Sequence, residues 1–136
     1  MSIYPAQSHR SLRVLRSVLL AGCVAFASCA APVKQQPAGS LEPPQATKQM
    51  RVLEELDVRL STGYQTKIKP QTSWTLVGTI AQGEVYKSRD QVLTVEGYDV
   101  HEAYLVLSGD ELVGFYLPVE HNFASISPTR HLHIVR

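Results

Sequence analysis

The stretch VHEAYLVLSGDELVGFYLP, residues 100–118, decides the fold class because it contains two apolar strands joined by a short turn. Ser108-Gly109-Asp110 suits a hairpin loop of about three residues, and Pro118 ends the second strand. Side chains alternate between the two faces of a strand. Apolar residues stand on both faces: Val100, Tyr104 and Val106 oppose Ala103, Leu105 and Leu107, and Val113, Phe115 and Leu117 oppose Leu112, Gly114 and Tyr116. We therefore expect this hairpin at the centre of the fold, covered on both sides.

Shorter β patterns precede this hairpin. The segments YQTKIK, SWTLVGTI, EVYKS and QVLTVEGY are each bounded by turn-forming residues. The stretch MRVLEELDVRL, residues 50–60, fits both helical and strand periodicity, and we predict a short helix that gives way to a strand near Asp57. The sequence thus predicts a mainly β domain over residues 50–136. It would be a small antiparallel sandwich or a partly open barrel with a short N-terminal helix.

The N-terminal part of the chain has the pattern of an export signal. Three arginines, at positions 10, 13 and 16, precede an uncharged run of 17 residues from Ser17 to Val33. A transmembrane helix needs about 20 apolar residues, so this run is short for one. A basic segment, a short apolar segment and small residues at a cut are typical of a secretory signal peptide. We predict a signal peptide over residues 1–28.

Both cysteines of the chain lie in this run, and the surrounding residues resemble a bacterial lipoprotein signal, in which the cysteine after the cut is lipidated. LAGC at residues 20–23 matches the lipobox, but only six uncharged residues precede Cys23. FASC at residues 26–29 has an unusual Phe26, but 12 uncharged residues precede Cys29. We favour Cys29 with Cys23 as the alternative. An uncleaved anchor and an ordinary signal cut after Ala27 stay open.

This resemblance implies an attachment and a location. The mature N-terminal cysteine would carry a covalent lipid with acyl chains such as palmitate, and no other cofactor is expected. Ala30 follows Cys29, and by resemblance to enterobacterial lipoproteins this implies an outer-membrane lipoprotein facing the periplasm. Residues 29–49 are rich in proline and glutamine, and we predict a disordered tether there that could reach some tens of Å.

Charge and cysteine usage exclude several classes of function. Without residues 1–28 the chain has 10 basic and 12 acidic side chains, a formal charge of 10 − 12 = −2. Such a balance gives no electrostatic reason to bind nucleic acid. No cysteine follows Cys29, so disulfides and cysteine–zinc sites are excluded from the domain. Local motifs for serine hydrolases, phosphate-binding loops and HExxH zinc sites do not occur.

The remaining candidate residues are histidines, tyrosines and one glutamate. The candidates for an interaction surface are His101, Glu102, Tyr104 and Tyr116. His131 and His133 lie two apart in HLHIVR, a last edge strand or a frayed end, and would project from the same side if it is extended. Together with His121 they are weak metal candidates, because a zinc site needs three or four ligands.

Three functions stay open at this point. The block from GTIAQGEVYKS to VHEAYLVLSGDELVGFYLPVE resembles the body of a small envelope lipoprotein of Gram-negative bacteria, and its layout is similar to lipoproteins that brace trans-envelope machines. This favours a non-catalytic module, anchored to the membrane by lipid, that binds another envelope protein. The alternative is a periplasmic protein that binds a small ligand or cell-wall glycan, and the third is a metal-dependent enzyme.

Overall fold

The computed structural model describes residues 32–136 of the chain. The predicted signal peptide, Cys23 and Cys29 lie outside the described residues. Within residues 32–136 there is no helix of the length and apolar character needed to cross a membrane.

Twelve β-strands and no helix occur in this part of the chain. The strands are β1 Gln36–Pro37, β2 Gln49–Val52, β3 Leu56–Arg59, β4 Gln65–Ile68, β5 Thr72–Ile80, β6 Gly83–Ser88, β7 Thr94–Glu96, β8 Val100–Glu102, β9 Tyr104–Ser108, β10 Glu111–Leu117, β11 Asn122–His131 and β12 Ile134–Val135. All pairings between them are antiparallel. The prediction of a mainly β domain is confirmed.

Eight strands form one sheet in the order β1-β11-β10-β9-β6-β5-β2-β12, and β3-β4 and β7-β8 form two separate hairpins. One continuous piece of chain joins the two sides of the large sheet. β11 pairs with β10, and after the amide of Leu132 bonds to the carbonyl of Asp110, the chain crosses to β2. There Ile134 pairs with Val52, and the amide of Leu53 bonds to the carbonyl of His133.

From Tyr104 onward the central hairpin has the environment that its sequence predicts. The first predicted strand is interrupted at Ala103, however, and Val100 lies in β8, where it pairs with β7 and is 66% exposed. Both of its faces are buried, because β9 and β10 contribute residues to two apolar clusters on opposite sides of the sheet. The larger cluster lies between the sheet and the two small hairpins, which contribute Val58, Ile68 and Val95. The smaller cluster contains Val106 and Tyr116 on the other face.

A β-bulge changes the strict alternation that the sequence predicts for β10. Val106 and Leu107 of β9 are consecutive, but their partners Gly114 and Leu112 are not, so Val113 is the extra residue. As a result Leu112 joins Phe115 in the larger cluster, instead of lying opposite it. Gly114 sits where a Cβ would come within 2.3 Å of the carbonyl oxygen of Ala124, so the close approach of β11 requires glycine there.

The short helix predicted at the start of residues 50–60 is wrong. Gln49–Val52 forms β2 instead, and Met50 and Val52 are buried with the exposed Arg51 between them. The predicted strand near Asp57 is present as β3. β2 lies between β5 and β12, and hydrogen bonds to distant segments outweigh the local helical stripe.

The described part of the predicted tether also differs from the expectation, because residues 33–42 pack on the sheet. Val33 is 5% exposed in the larger cluster and Ala38 is 3% exposed in the smaller one. β1 pairs with the start of β11, and Glu42 forms a bridge with Thr79 of β5. Leu41 packs against the smaller cluster. This segment therefore covers the second apolar face of the central hairpin.

Candidate functional site

A bonded pair of polar side chains joins β8 to the turn between β10 and β11. Nδ1 of His101 lies 2.5 Å from Oε1 of Glu120, in a hydrogen bond where the ring N–H donates to the carboxylate. The His101 side chain is 11% exposed and that of Glu120 is 28% exposed. His101 stands opposite the fully buried Val95 of β7. The pair therefore fixes the β7-β8 hairpin against the end of β10.

The turn that carries Glu120 is held in a defined conformation. His121 has a φ of 54°, in the left-handed region, which lets the chain reverse after β10. The second carboxylate oxygen of Glu120, Oε2, is buried and has no hydrogen-bond partner among the described residues. Glu120 thus has an acceptor that a further donor could use.

Two of the predicted interaction residues form a cross-strand pair in β9 and β10, and one of them contacts this turn. Tyr104 of β9 lies opposite Tyr116 of β10, with ring centroids 6.3 Å apart. The hydroxyl of Tyr116 lies 3.2 Å from Nδ1 of His121. Burial raises the pKa of Tyr116, and the neighbouring Tyr104 adds to this rise. Lys87 places its Nζ 5.5 Å from the ring centroid of Tyr104, within cation–π range.

Large apolar side chains are exposed around the His101–Glu120 bond. Val100 and Val119, each next to one of the bonded residues, are 66% and 76% exposed, and Tyr98 at the tip of the hairpin is 76% exposed. We call Tyr98, Val100, His101, Val119 and Glu120 the β8 surface. Within residues 32–136, β8 pairs only with β7, so its other edge is open.

Glu102, the fourth predicted interaction residue, lies at the end of β8 opposite Thr94. It is exposed, as is Val100 on the same side of the strand. The structure therefore brings together His101 with Glu120 and Tyr104 with Tyr116, whereas Glu102 stands at the edge of this group. The sequence did not indicate the bond between His101 and Glu120 or the exposure of Val119, because nothing in the local pattern shows which strand the turn after β10 contacts.

The three histidines considered for a metal ion are divided between two places. His121 precedes β11 and contacts Tyr116, while His131 ends β11 and lies close to His133, with ring centroids 5.4 Å apart. Nδ1 of His131 is 3.2 Å from Glu111, and Nδ1 of His133 is 3.9 Å from Glu54. Among the described residues, no group of three or more His, Cys, Asp or Glu side chains is arranged to hold a metal ion.

A cavity of about 440 Å³ lies elsewhere, under the loop that links the N-terminal segment to β2. The loop is anchored at both ends on β5: the amide of Glu42 bonds to the carbonyl of Thr79, and the amide of Leu76 bonds to the carbonyl of Lys48. Between these anchors the chain arches outward. We call the cavity the arch pocket; it is lined by Glu42, Pro43, Pro44, Gln45, Ala46, Lys48, Leu76, Thr79 and Glu84.

The polar wall of the arch pocket is a short chain of bonded groups. The Nζ of Lys48 donates to Oε1 of Glu84 at 2.6 Å, and the hydroxyl of Tyr86 donates to Oε2 at 2.8 Å. The hydrogen bond from Lys48 holds the pKa of Glu84 below its usual value. Burial, followed by the bond to Glu84, raises the pKa of Tyr86 to about 12. Sequence analysis missed this pocket because Pro43 and Pro44 indicate a tether as well as they indicate an arched loop.

No protein-family model, no curated protein and no solved structure matches the chain.

Proposed function

We propose that the protein is a lipid-anchored component of the bacterial outer membrane, lipidated at Cys29, whose β domain binds another envelope protein in the periplasm without catalysis. The observation that carries this proposal is the β8 surface. It combines an open strand edge with three exposed apolar side chains, Tyr98, Val100 and Val119. An open edge can accept a further strand through main-chain hydrogen bonds, and apolar side chains beside it can fill pockets of a partner.

The rest of the fold supports a binding role for this surface by holding it rigid. His101 and Glu120 tie the hairpin to the central β9-β10 pair, so a partner would not need to order it, which reduces the entropy cost of binding. We further infer that the domain is a partly open barrel, since residues 122–135 join both sides of the large sheet.

Site-specific photocrosslinking in the native envelope tests the proposal. A photoreactive amino acid at Val100 probes the β8 surface, and one at Val135, 54% exposed on β12, is the matched control on another open edge. We expect one discrete crosslinked envelope protein from position 100, and its loss when Val119→Asp is added. No discrete product from position 100, or the same product from both positions, would contradict the proposal.

A second candidate function, binding of a small ligand or cell-wall glycan fragment, is favoured by the arch pocket. Its volume of about 440 Å³ falls within the range of roughly 300–1,000 Å³ that is usual for ligand sites. Its wall combines the apolar Leu76 with the charged Lys48 and Glu84. Titration with peptidoglycan fragments, followed by amide chemical shifts, tests it. Saturable shifts around Thr79 that Thr79→Phe abolishes would support ligand binding, and unchanged spectra would exclude these fragments.

A further inference from the structure

We infer that the domain lies directly against the bilayer, with lipid head groups touching the face around Val33, instead of standing off on a long tether. This inference rests on the proposed lipidation of Cys29. It deepens the proposed function because it fixes which side of the domain faces the membrane, and it identifies the bilayer surface as the partner of that side.

The first step is that the chain is fixed to the domain from Val33 onward. Val33 is buried in the larger apolar cluster. The side-chain amide of Asn122 donates to Oε1 of Gln35 at 2.9 Å, and the amide of Ala38 bonds to the carbonyl of His121. Between these contacts Gln36 pairs with Phe123. Because of these bonds and the burial of Val33, the chain from residue 33 onward is held on the domain and adds no length to the link.

The second step is the length of chain that remains. Cys29 is four positions before Val33, and four residues span at most about 14 Å even when fully extended. A domain of about 100 residues has a radius of gyration of about 13 Å. Even at full extension the link is therefore only about as long as the radius of gyration of the domain that it holds. A domain attached so closely cannot turn another side toward the lipid.

The third step identifies the side that faces the bilayer. Gln36 pairs with Phe123, and extending this antiparallel register by three residues places Val33 level with Ile126. Ile126 in turn forms a bridge with Leu60 at the end of β3. We call the exposed side chains around this point the exit face; they are Lys34, Arg59, Ser125, Ser127 and Arg130.

The composition of the exit face suits contact with head groups. Three of its five side chains are basic, and the exposed acidic residue beside them is Asp57, whose main-chain carbonyl accepts a hydrogen bond from Arg130. Asp57 is the acidic neighbour of Arg59 on the outer side of β3, and its carboxylate lies 3.7 Å from Lys67. Each basic side chain near an anionic membrane contributes about 1 kcal/mol of attraction. The basic side chains of the exit face and the short link therefore both favour contact between this face and the bilayer.

Fluorescence quenching in vesicles tests this inference. If Cys29 is acylated and Cys23 is removed with the signal peptide, the mature chain has no free thiol, so single cysteines can carry a dye. Ser125→Cys places the dye on the exit face. Ala81→Cys is the matched control in the turn between β5 and β6, because β5 lies four strands from β11. The full-length lipoprotein is reconstituted in vesicles whose head groups carry a nitroxide quencher.

We expect the dye at position 125 to be quenched at least three-fold more than the dye at position 81. Inserting 12 Gly and Ser residues between Pro32 and Val33 should remove most of this difference, because a flexible link of that length reaches roughly 20 Å. Equal quenching at both positions would overturn the inference, as would quenching at position 125 that persists after the insertion.

Two readouts separate failure of this inference from failure of the proposed function. Vesicle flotation and mass spectrometry of the N-terminal peptide report whether Cys29 carries lipid. A chain that does not float, or is acylated at Cys23, refutes the anchor on which the inference depends. A chain that floats with acylated Cys29 but shows equal quenching refutes only the contact with the bilayer.

Discussion

Replacing Val33 with alanine measures whether the N-terminal segment belongs to the folded domain. Val33 is 5% exposed within the larger apolar cluster. The change removes two carbon groups, which costs about 1.6 kcal/mol at about 0.8 kcal/mol each. A cavity of roughly 40 Å³ that does not relax adds about 1 kcal/mol. We therefore expect the free energy of unfolding to fall by about 1.6–2.6 kcal/mol.

Urea unfolding followed by fluorescence is the assay, because the chain has one tryptophan, Trp74, and it is fully buried. With a slope of about 2 kcal/mol per M, the midpoint should move down by roughly 1 M. Leu105→Ala in β9 is the positive control, with an expected loss of about 2–5 kcal/mol. Lys34→Ala is the exposed neighbour and should change stability by less than about 0.5 kcal/mol. If Val33→Ala behaves like Lys34→Ala while Leu105→Ala is destabilised, residue 33 is not part of the folded unit and the argument for a short link fails.

Three further predictions concern other contacts. Gly78→Ala should lower the free energy of unfolding by about 1–3 kcal/mol in the same assay, because the new Cβ would lie 2.6 Å from the carbonyl oxygen of Glu42. Unchanged stability would mean that the N-terminal segment does not pack on β5. The pKa of Tyr86 is raised from 10.0 to about 12, so the stability that its protonated form contributes is present below pH 10 and is lost as the pH rises through 12. Between pH 10 and pH 12 the wild-type protein should lose about 2 kcal/mol more than Tyr86→Phe, and parallel curves would contradict the shift. His101→Ala removes the hydrogen bond to Glu120. We expect faster amide hydrogen exchange in the β7-β8 hairpin and unchanged exchange in β9-β10. Unchanged exchange in both hairpins would show that this bond does not hold the β7-β8 hairpin in place.

The sequence predicts the parts of the fold that depend on local pattern. The segments YQTKIK, SWTLVGTI and EVYKS correspond to β4, β5 and β6, and the apolar hairpin lies at the centre as expected. Strand segments of this kind are recognisable because alternation and turn residues are both local signals. The bulge at Val113 is not recognisable in this way, since only the pairing with β9 shows which residue is extra.

The features that the sequence does not predict all depend on distant partners. β2 fits a helical stripe until its hydrogen bonds to β5 and β12 are known. The N-terminal segment is mostly polar, and only the apolar face that it meets explains why Val33 and Ala38 are buried. In the same way, His101 could be selected as a candidate from its own strand. Its bond to Glu120, 19 positions later, requires the fold.

The joining of β11 and β12 across the large sheet has a consequence for when the domain can form during its synthesis. β2 completes its pairing with residues 134 and 135, more than eighty positions later in the chain. Contacts between such distant positions slow folding, because a long loop must close before they form. An emerging chain therefore has no partner for this edge of β2 until residues 134 and 135 have been made. A chain without these two residues remains open along this edge, which is compatible with the export to the periplasm that we propose.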